Sequence, residues 1–153
     1  MLEFSNNGLL AALGGNQHRN FVRIEQKLGV RVAARGNLIA IEGSAHTRER
    51  AAAVLRALYA RLESKESIST AEVDAEIRFA THESSGIPAH ELGTSSIRTA
   101  GARVTRARSP AQGVYLDLMR THPLVFGIGP AGTGKTYLAA AFGAHLLHER
   151  RVE

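Results

Sequence analysis

The chain has 153 residues, no cysteine and no tryptophan, and its 19 Lys/Arg exceed its 14 Asp/Glu for a net charge of +5. The lack of cysteine excludes disulfides, thiolate metal sites and cysteine nucleophiles. No run of about 18 apolar residues exists to cross a bilayer, and the opening stretch MLEFSNNGLL lacks the basic start and long apolar core of a secretion signal. The expected location is therefore the cytoplasm, with no membrane partner.

The charge is unevenly distributed. Residues 1–65 carry ten basic and five acidic side chains, residues 66–97 one and six, and residues 98–153 eight and three. Basic ends around an acidic middle suggest two modules and a connector. Basic modules favour polyanion partners, although a solvated surface gives the same pattern.

The first module reads as mixed α and β. Leu9–Leu13 is a short apolar segment ended by Gly14-Gly15. Phe21, Ile24 and Leu28 then lie on one face of a short helix, which Gly29 stops. Residues 30–34 and 38–42 read as two strands around an Arg-Gly-Asn turn. A long helix follows, starting near Ser44 or Thr47, with Ala51, Val54, Leu55, Leu58 and Leu62 as its buried stripe.

Residues 66–108 form the expected connector. Ser69 and Glu72 make a capping box for one helix whose Val73, Ile77 and Ala80 face inward. Residues 81–96 are broken by Gly and Pro and read as a flexible loop. The stretch around Val104, Arg106 and Arg108 is either an edge strand or a solvated arm. The last module, 109–153, opens with Ser109 as N-cap, Pro110 at the first helical position and Gln112 at the third, which suggests another capping box. Its helix is expected to bury Tyr115, Leu118 and Met119. Residues 123–129, PLVFGIG, are almost continuously apolar, as in a strand buried on both faces. A further helix is expected from about Gly134 to Arg150.

Between that strand and that helix lies Gly129-Pro130-Ala131-Gly132-Thr133-Gly134-Lys135-Thr136. It satisfies G-x-x-x-x-G-K-[ST], the phosphate-binding loop. Such a loop turns backbone N–H groups inward around phosphate oxygens, and its glycines permit the left-handed conformations this needs. The helix N-terminus adds free N–H groups and partial positive charge. Lys135 supplies a full charge for the β- and γ-phosphates, and the Thr136 hydroxyl is placed for Mg2+. The plainer alternative is a glycine-rich turn with an incidental lysine. Gln112, besides its capping role, has the donor and acceptor needed to contact adenine.

The stretch from Arg108 to about Ala141 resembles the start of the ATPase domain of the PhoH-like, phosphate-starvation-inducible family, which is related to superfamily 1 helicase motors. That family usually carries Asn before the glutamine, where this chain has Ala111. The stretch LGGNQHRNFVRIEQKLGVRVAARGNLIAIEGSAHTRERAAAVLRALYARL is similar to a KH-type domain, with the order helix, glycine loop, helix, strand, strand, helix. A KH domain clamps single-stranded RNA over a G-x-x-G loop. The matching positions here are Gly15, Asn16, Gln17 and His18, so the second glycine is absent, while Arg19 and Arg23 remain as candidates for RNA phosphates.

The resemblance implies a mixed α/β fold. It comprises a KH-like α+β domain over 1–65, a connector over 66–108, and the first strand–loop–helix unit of a parallel α/β nucleotide-binding domain over 109–153. It implies ATP and Mg2+ as cofactors, RNA as a partner, and a homo-oligomeric ring in the whole protein. The remaining strands and the water-activating and γ-phosphate-sensing residues are expected beyond Glu153. The acids after Thr136 are Glu149 and Glu153, about 20 Å along the helix at 1.5 Å per residue, so this chain alone is not expected to hydrolyse ATP. Residues 109–153 are expected to be poorly stable unless another segment covers them. His90, His145 and His148 are too scattered for a convincing metal site. The competing functions are an ATP-binding protein that is an ATPase in its full form, a nucleic-acid-binding module, and an assembly element without enzymatic activity.

Overall fold

The computed structural model describes residues 1–82, 96–99 and 103–153. The chain divides into two compact units, Met1–His82 and Glu83–Glu153. Both are mixed α and β, as expected. Most of the expected loop 81–96, with His90, lies outside the described residues.

The first unit runs β1 (Leu2–Glu3), α1 (Asn7–Gly14), a single 3-10 turn (Asn16–His18), α2 (Arg19–Leu28), β2 (Arg31–Arg35), β3 (Leu38–Glu42), α3 (Ala45–Glu63) and α4 (Thr70–Thr81). The strands form an antiparallel sheet in the order β1-β3-β2, with Leu2 opposite Ile39 and Val32 opposite Ile41. The order helix, glycine loop, helix, strand, strand, helix is present, with β1 added ahead of it. Periodicity cannot reveal a two-residue strand, and tertiary contacts hold this one. Phe4 N–H donates to the Asn37 carbonyl at 2.9 Å, and the Phe4 and Tyr59 rings lie 4.5 Å apart.

The helices begin and end where local chemistry directs. Asn6 caps α1, Ser44 caps α3, and Ser69 with Glu72 forms the complete capping box of α4. Gly29 ends α2 in the left-handed conformation. The expected stripes converge on one core, in which Ile24, Ile39, Leu55 and Leu58 are fully buried. Helix α4 belongs to this unit, so the compact body extends past the boundary expected at residue 65. Val73 and Ile77 enter the core. Two ion pairs also fasten α4, Arg23–Asp74 and Arg61–Glu76, each at 2.6 Å.

The second unit contains β4 (Ser96–Thr99), β5 (Arg103–Arg106), α5 (Pro110–Thr121) and α6 (Lys135–His148). Strands β4 and β5 pair antiparallel, Ile97 opposite Thr105, so the alternating stretch is a strand. The Arg120 guanidinium donates to the Ser96 carbonyl at 2.6 Å, and His145 Nδ1 lies 2.9 Å from the Arg98 carbonyl. These bonds tie the strand pair to both helices.

Two expectations fail in this unit. Residues 123–129, expected as a buried strand, pair with no described strand, and Leu124, Phe126 and Ile128 are exposed. A strand is buried only between neighbours, and none of the described strands supplies one. In α5 the buried face is Pro110, Gly113 and Leu116, rather than Tyr115, Leu118 and Met119. The helix turns Leu116 inward, while Tyr115 and Leu118 face a cavity beside the phosphate loop.

Candidate functional site

The loop 129–136 joins the extended run after α5 to the start of α6. Gly129, Gly132 and Gly134 have φ of 156°, 75° and 83°, a region that side-chain-bearing residues rarely enter. A methyl added at Gly129 or Gly132 would meet no atom within 4 Å, so the backbone there is open to a close approach. Lys135 folds over the loop. Its Nζ donates to the carbonyls of Gly129 (2.8 Å) and Pro130 (2.6 Å) and to Thr133 Oγ1 (3.1 Å). Thr133 Oγ1 in turn donates to the Pro130 carbonyl at 3.0 Å. Thr136 is exposed one residue into α6. The 14-residue helix α6 has its first backbone N–H groups directed into the loop, as at any helix start. This arrangement fits a polyphosphate with a divalent cation. The open glycines would admit phosphate oxygens, Lys135 would supply positive charge, and Thr136 would offer a hydroxyl to such a cation.

Gln112 reaches the same loop from α5. Its Nε2 donates to the Thr133 carbonyl at 3.0 Å, and its Oε1 accepts from the Arg108 backbone N–H at 2.7 Å. The expected capping box is thus only half present. Ser109 Oγ accepts from the Gln112 backbone N–H at 3.4 Å, but the glutamine side chain answers one residue earlier, at Arg108. A cavity of about 320 Å³ opens alongside, lined by Tyr115, Leu118, Phe126, Ile128, Gln112 and Lys135 among others. Gly127 allows the extended run to lie against Tyr115, because a methyl there would sit 3.2 Å from that ring. Sequence reasoning missed Tyr115, Phe126 and Ile128 as lining residues. The alternation of Leu124, Phe126 and Ile128 was the available signal, since it gives the run one apolar face.

The second candidate loop, Gly15-Asn16-Gln17-His18, lies between α1 and α2. Gly15 is required by packing and by conformation. Its φ is 69°, and a methyl would meet Asn20 Nδ2 at 2.9 Å, where the buried Asn20 amide donates to the Leu13 carbonyl at 2.9 Å. Gln17 and His18 also have positive φ, 54° and 57°. The His18 ring stacks on Phe21 with centroids 5.7 Å apart. Arg19 is exposed beside this loop. Arg23 is directed elsewhere, since its Nε and Nη2 each donate to Asp74 at 2.6 Å. The hydrogen bonds from Arg23 hold the Asp74 carboxyl below its ordinary value, with the nearby positive charges of Arg23, Arg78 and Lys27 adding to the effect against a smaller cost of burial. The structure therefore brings Gln112 to the phosphate loop and engages Arg23 with Asp74 of α4. Among the described residues no three His, Asp or Glu side chains stand together to hold a metal ion.

The family model described as "PhoH-like protein" matches residues 104–153. The PhoH-like protein of Mycobacterium tuberculosis (strain ATCC 25618 / H37Rv) is 31% identical over 144 residues, 94% of this chain and 41% of the relative. The PhoH-like protein of Bacillus subtilis (strain 168) is 30% identical over 142 residues, 93% of this chain and 44% of the relative. The chain belongs to the PhoH-like family. The PhoH-like protein of Synechocystis sp. (strain ATCC 27184 / PCC 6803 / Kazusa) is 28% identical over 138 residues, 89% of this chain and 42% of the relative. No solved structure matches the chain significantly. The chain thus spans about two-fifths of the length of the PhoH-like relatives it matches. The segment matched by the PhoH-like model takes in Gln112, the phosphate loop and α6. No described helix is long and apolar enough to cross a membrane.

Proposed function

We propose that this PhoH-like chain binds the phosphates of ATP, together with Mg2+, on residues 129–136. The observation that carries the reading is the loop itself. It combines three positive-φ glycines, a lysine whose ammonium rests on the loop carbonyls, and the start of a 14-residue helix. On binding, Lys135 would exchange those carbonyls for the β- and γ-phosphate oxygens, backbone N–H groups of the loop would donate to the phosphates, and Thr136 would hold Mg2+ through its hydroxyl. The metal would neutralise charge on the phosphate oxygens. Binding is the function proposed for these residues, because Glu149 lies at the far end of α6 beside His145 and Arg151. ATP hydrolysis, a ring assembly and action on RNA are proposed for the whole protein. Photo-crosslinking with labelled ATP tests the reading. The expected adduct falls on 129–136 and is lost in Lys135→Ala. Equal labelling of that variant would contradict it.

The first unit favours a second reading, RNA binding, on its β-α-α-β-β-α order through α3 and its Gly15 loop with Arg19 beside it. The expected signature is an affinity for single-stranded RNA that falls steeply with salt and weakens in Arg19→Ala more than in Arg23→Ala, because Arg23 is held by Asp74. An equal or reversed ranking, or an absence of RNA binding, would contradict the assignment.

A further inference from the structure

We infer that single-stranded RNA runs its phosphates along a basic row on α2 and α4, from Arg19 at the Gly15 loop past Lys27 to Arg78, and that Asp74 restrains this binding by holding Arg23. The inference rests on the RNA-binding reading of the first unit and goes beyond it in naming the path and its restraint.

Arg19, Arg23 and Lys27 stand four residues apart on α2. Side chains at that spacing share one face of a helix, so the three cations form a row about 12 Å long at 1.5 Å per residue. Arg19 and Lys27 are exposed, and Arg23 is partly exposed. Helix α4 extends the row. Arg23 Nε and Nη2 each donate to an Asp74 carboxylate oxygen at 2.6 Å, which pins α4 against this face of α2. Arg78 stands one turn beyond Asp74 on α4 and is exposed. Lys27 and Arg78 also lie near enough to Asp74 to favour its charged form.

The other acids of these two helices are engaged elsewhere. Glu25 Oε1 accepts from the Val32 backbone N–H at 2.7 Å, Glu72 closes the capping box at Ser69, and Glu76 pairs with Arg61. Asp74 is therefore the acid of α2 and α4 that is joined to the row. It opposes a polyanion in two ways, by repelling phosphates and by occupying the Arg23 guanidinium. Evenly stepped cations suit a chain whose own charges repeat along its backbone. The row also starts at the loop where a KH-like unit would clamp that backbone. These two features favour RNA over an acidic polypeptide.

The test is fluorescence anisotropy of the 153-residue chain with a labelled oligouridylate of about twelve nucleotides, over a salt series, with unlabelled polyglutamate as competitor. Lys27→Ala and Arg78→Ala are each expected to weaken binding about threefold and to lower the slope of log K against log salt by about 0.7. Asp74→Asn is expected to tighten binding about threefold and to steepen that slope, because it removes a repulsion and releases Arg23. Arg35→Ala is the control, since β2 alternates and places Arg35 on the exposed face of the sheet; it is expected to change affinity less than either row variant. Wild-type affinity in Lys27→Ala and Arg78→Ala, a loss as large in Arg35→Ala, or a folded Asp74→Asn that binds no more tightly than wild type overturns the inference. Polyglutamate that displaces the RNA as well as unlabelled oligouridylate does overturns it too, and makes the partner an acidic protein. The two surface variants decide even where Asp74→Asn fails to fold. Failure of the underlying reading looks different, as no RNA binding by wild type at low salt or binding that Arg19→Ala leaves unchanged, and it takes the inference with it.

Discussion

Leu58 in the first unit is 0% exposed, whereas Phe126 and Ile128 in the second are 79% and 94% exposed. The residues are equally apolar, and the difference lies in their neighbours. In the first unit the sheet and α1–α4 close on one core. In the second, the run leading into the phosphate loop has α5 beside it but pairs with no described strand. The two candidate loops are supported accordingly. The Gly15 loop is anchored to a closed core through Asn20 and Leu13. The phosphate loop is braced largely by side chains, Gln112 and Lys135.

Truncating each kind of residue would break this comparison at its extremes. Leu58→Ala opens a cavity in a filled core and is expected to cost about 3–4 kcal/mol, measured by urea unfolding followed through amide protection in α3. A loss below about 1 kcal/mol would mean that the first core is not closed.

Acidification sharpens the comparison from the polar side. Asp74 is held below its ordinary 3.8 by Arg23, so the unfolded chain takes up this proton first. The pair's contribution is complete above the unfolded value and is lost as pH falls through the lower folded one. The first unit is expected to lose stability in that acid range, and Asp74→Asn is expected to remove part of the dependence. Melting curves at pH 7 and below 4 check this, and an unchanged slope in the variant would contradict it.

The smallest effect is expected at the exposed run. Phe126→Ala should change stability by no more than about 0.5 kcal/mol, as surface substitutions do. A loss comparable to that of Leu58→Ala would show Phe126 to be covered in solution.

Much of this architecture was legible because its signals are local. The caps at Ser44, Ser69 and Ser109, the stop at Gly29, the stripe from Ala51 to Leu58 and the pattern from Gly129 to Thr136 all lie within a few residues of what they control. What escaped was set by distant partners. Strand β1 exists through Ile39, and α4 joins the first unit through Arg23 and Arg61, 51 and 15 residues away. At the site, the residue type and position of Gln112 led to an expected adenine contact, but its bond to Thr133 spans 21 residues, and no spacing rule announces it. The run 123–129 has the composition of a buried strand, and composition does not supply the neighbours that burial requires.

Residues 129–136 are proposed to cradle nucleotide phosphates. Amide hydrogen exchange of this loop with and without Mg-ATP tests this proposal most directly, because the proposed bonds come from those backbone N–H groups. The expected result is slowed exchange across 131–136 in the presence of Mg-ATP, absent in Lys135→Ala, with the Gly15 loop unchanged. Identical exchange in the wild-type loop at saturating Mg-ATP would contradict the account.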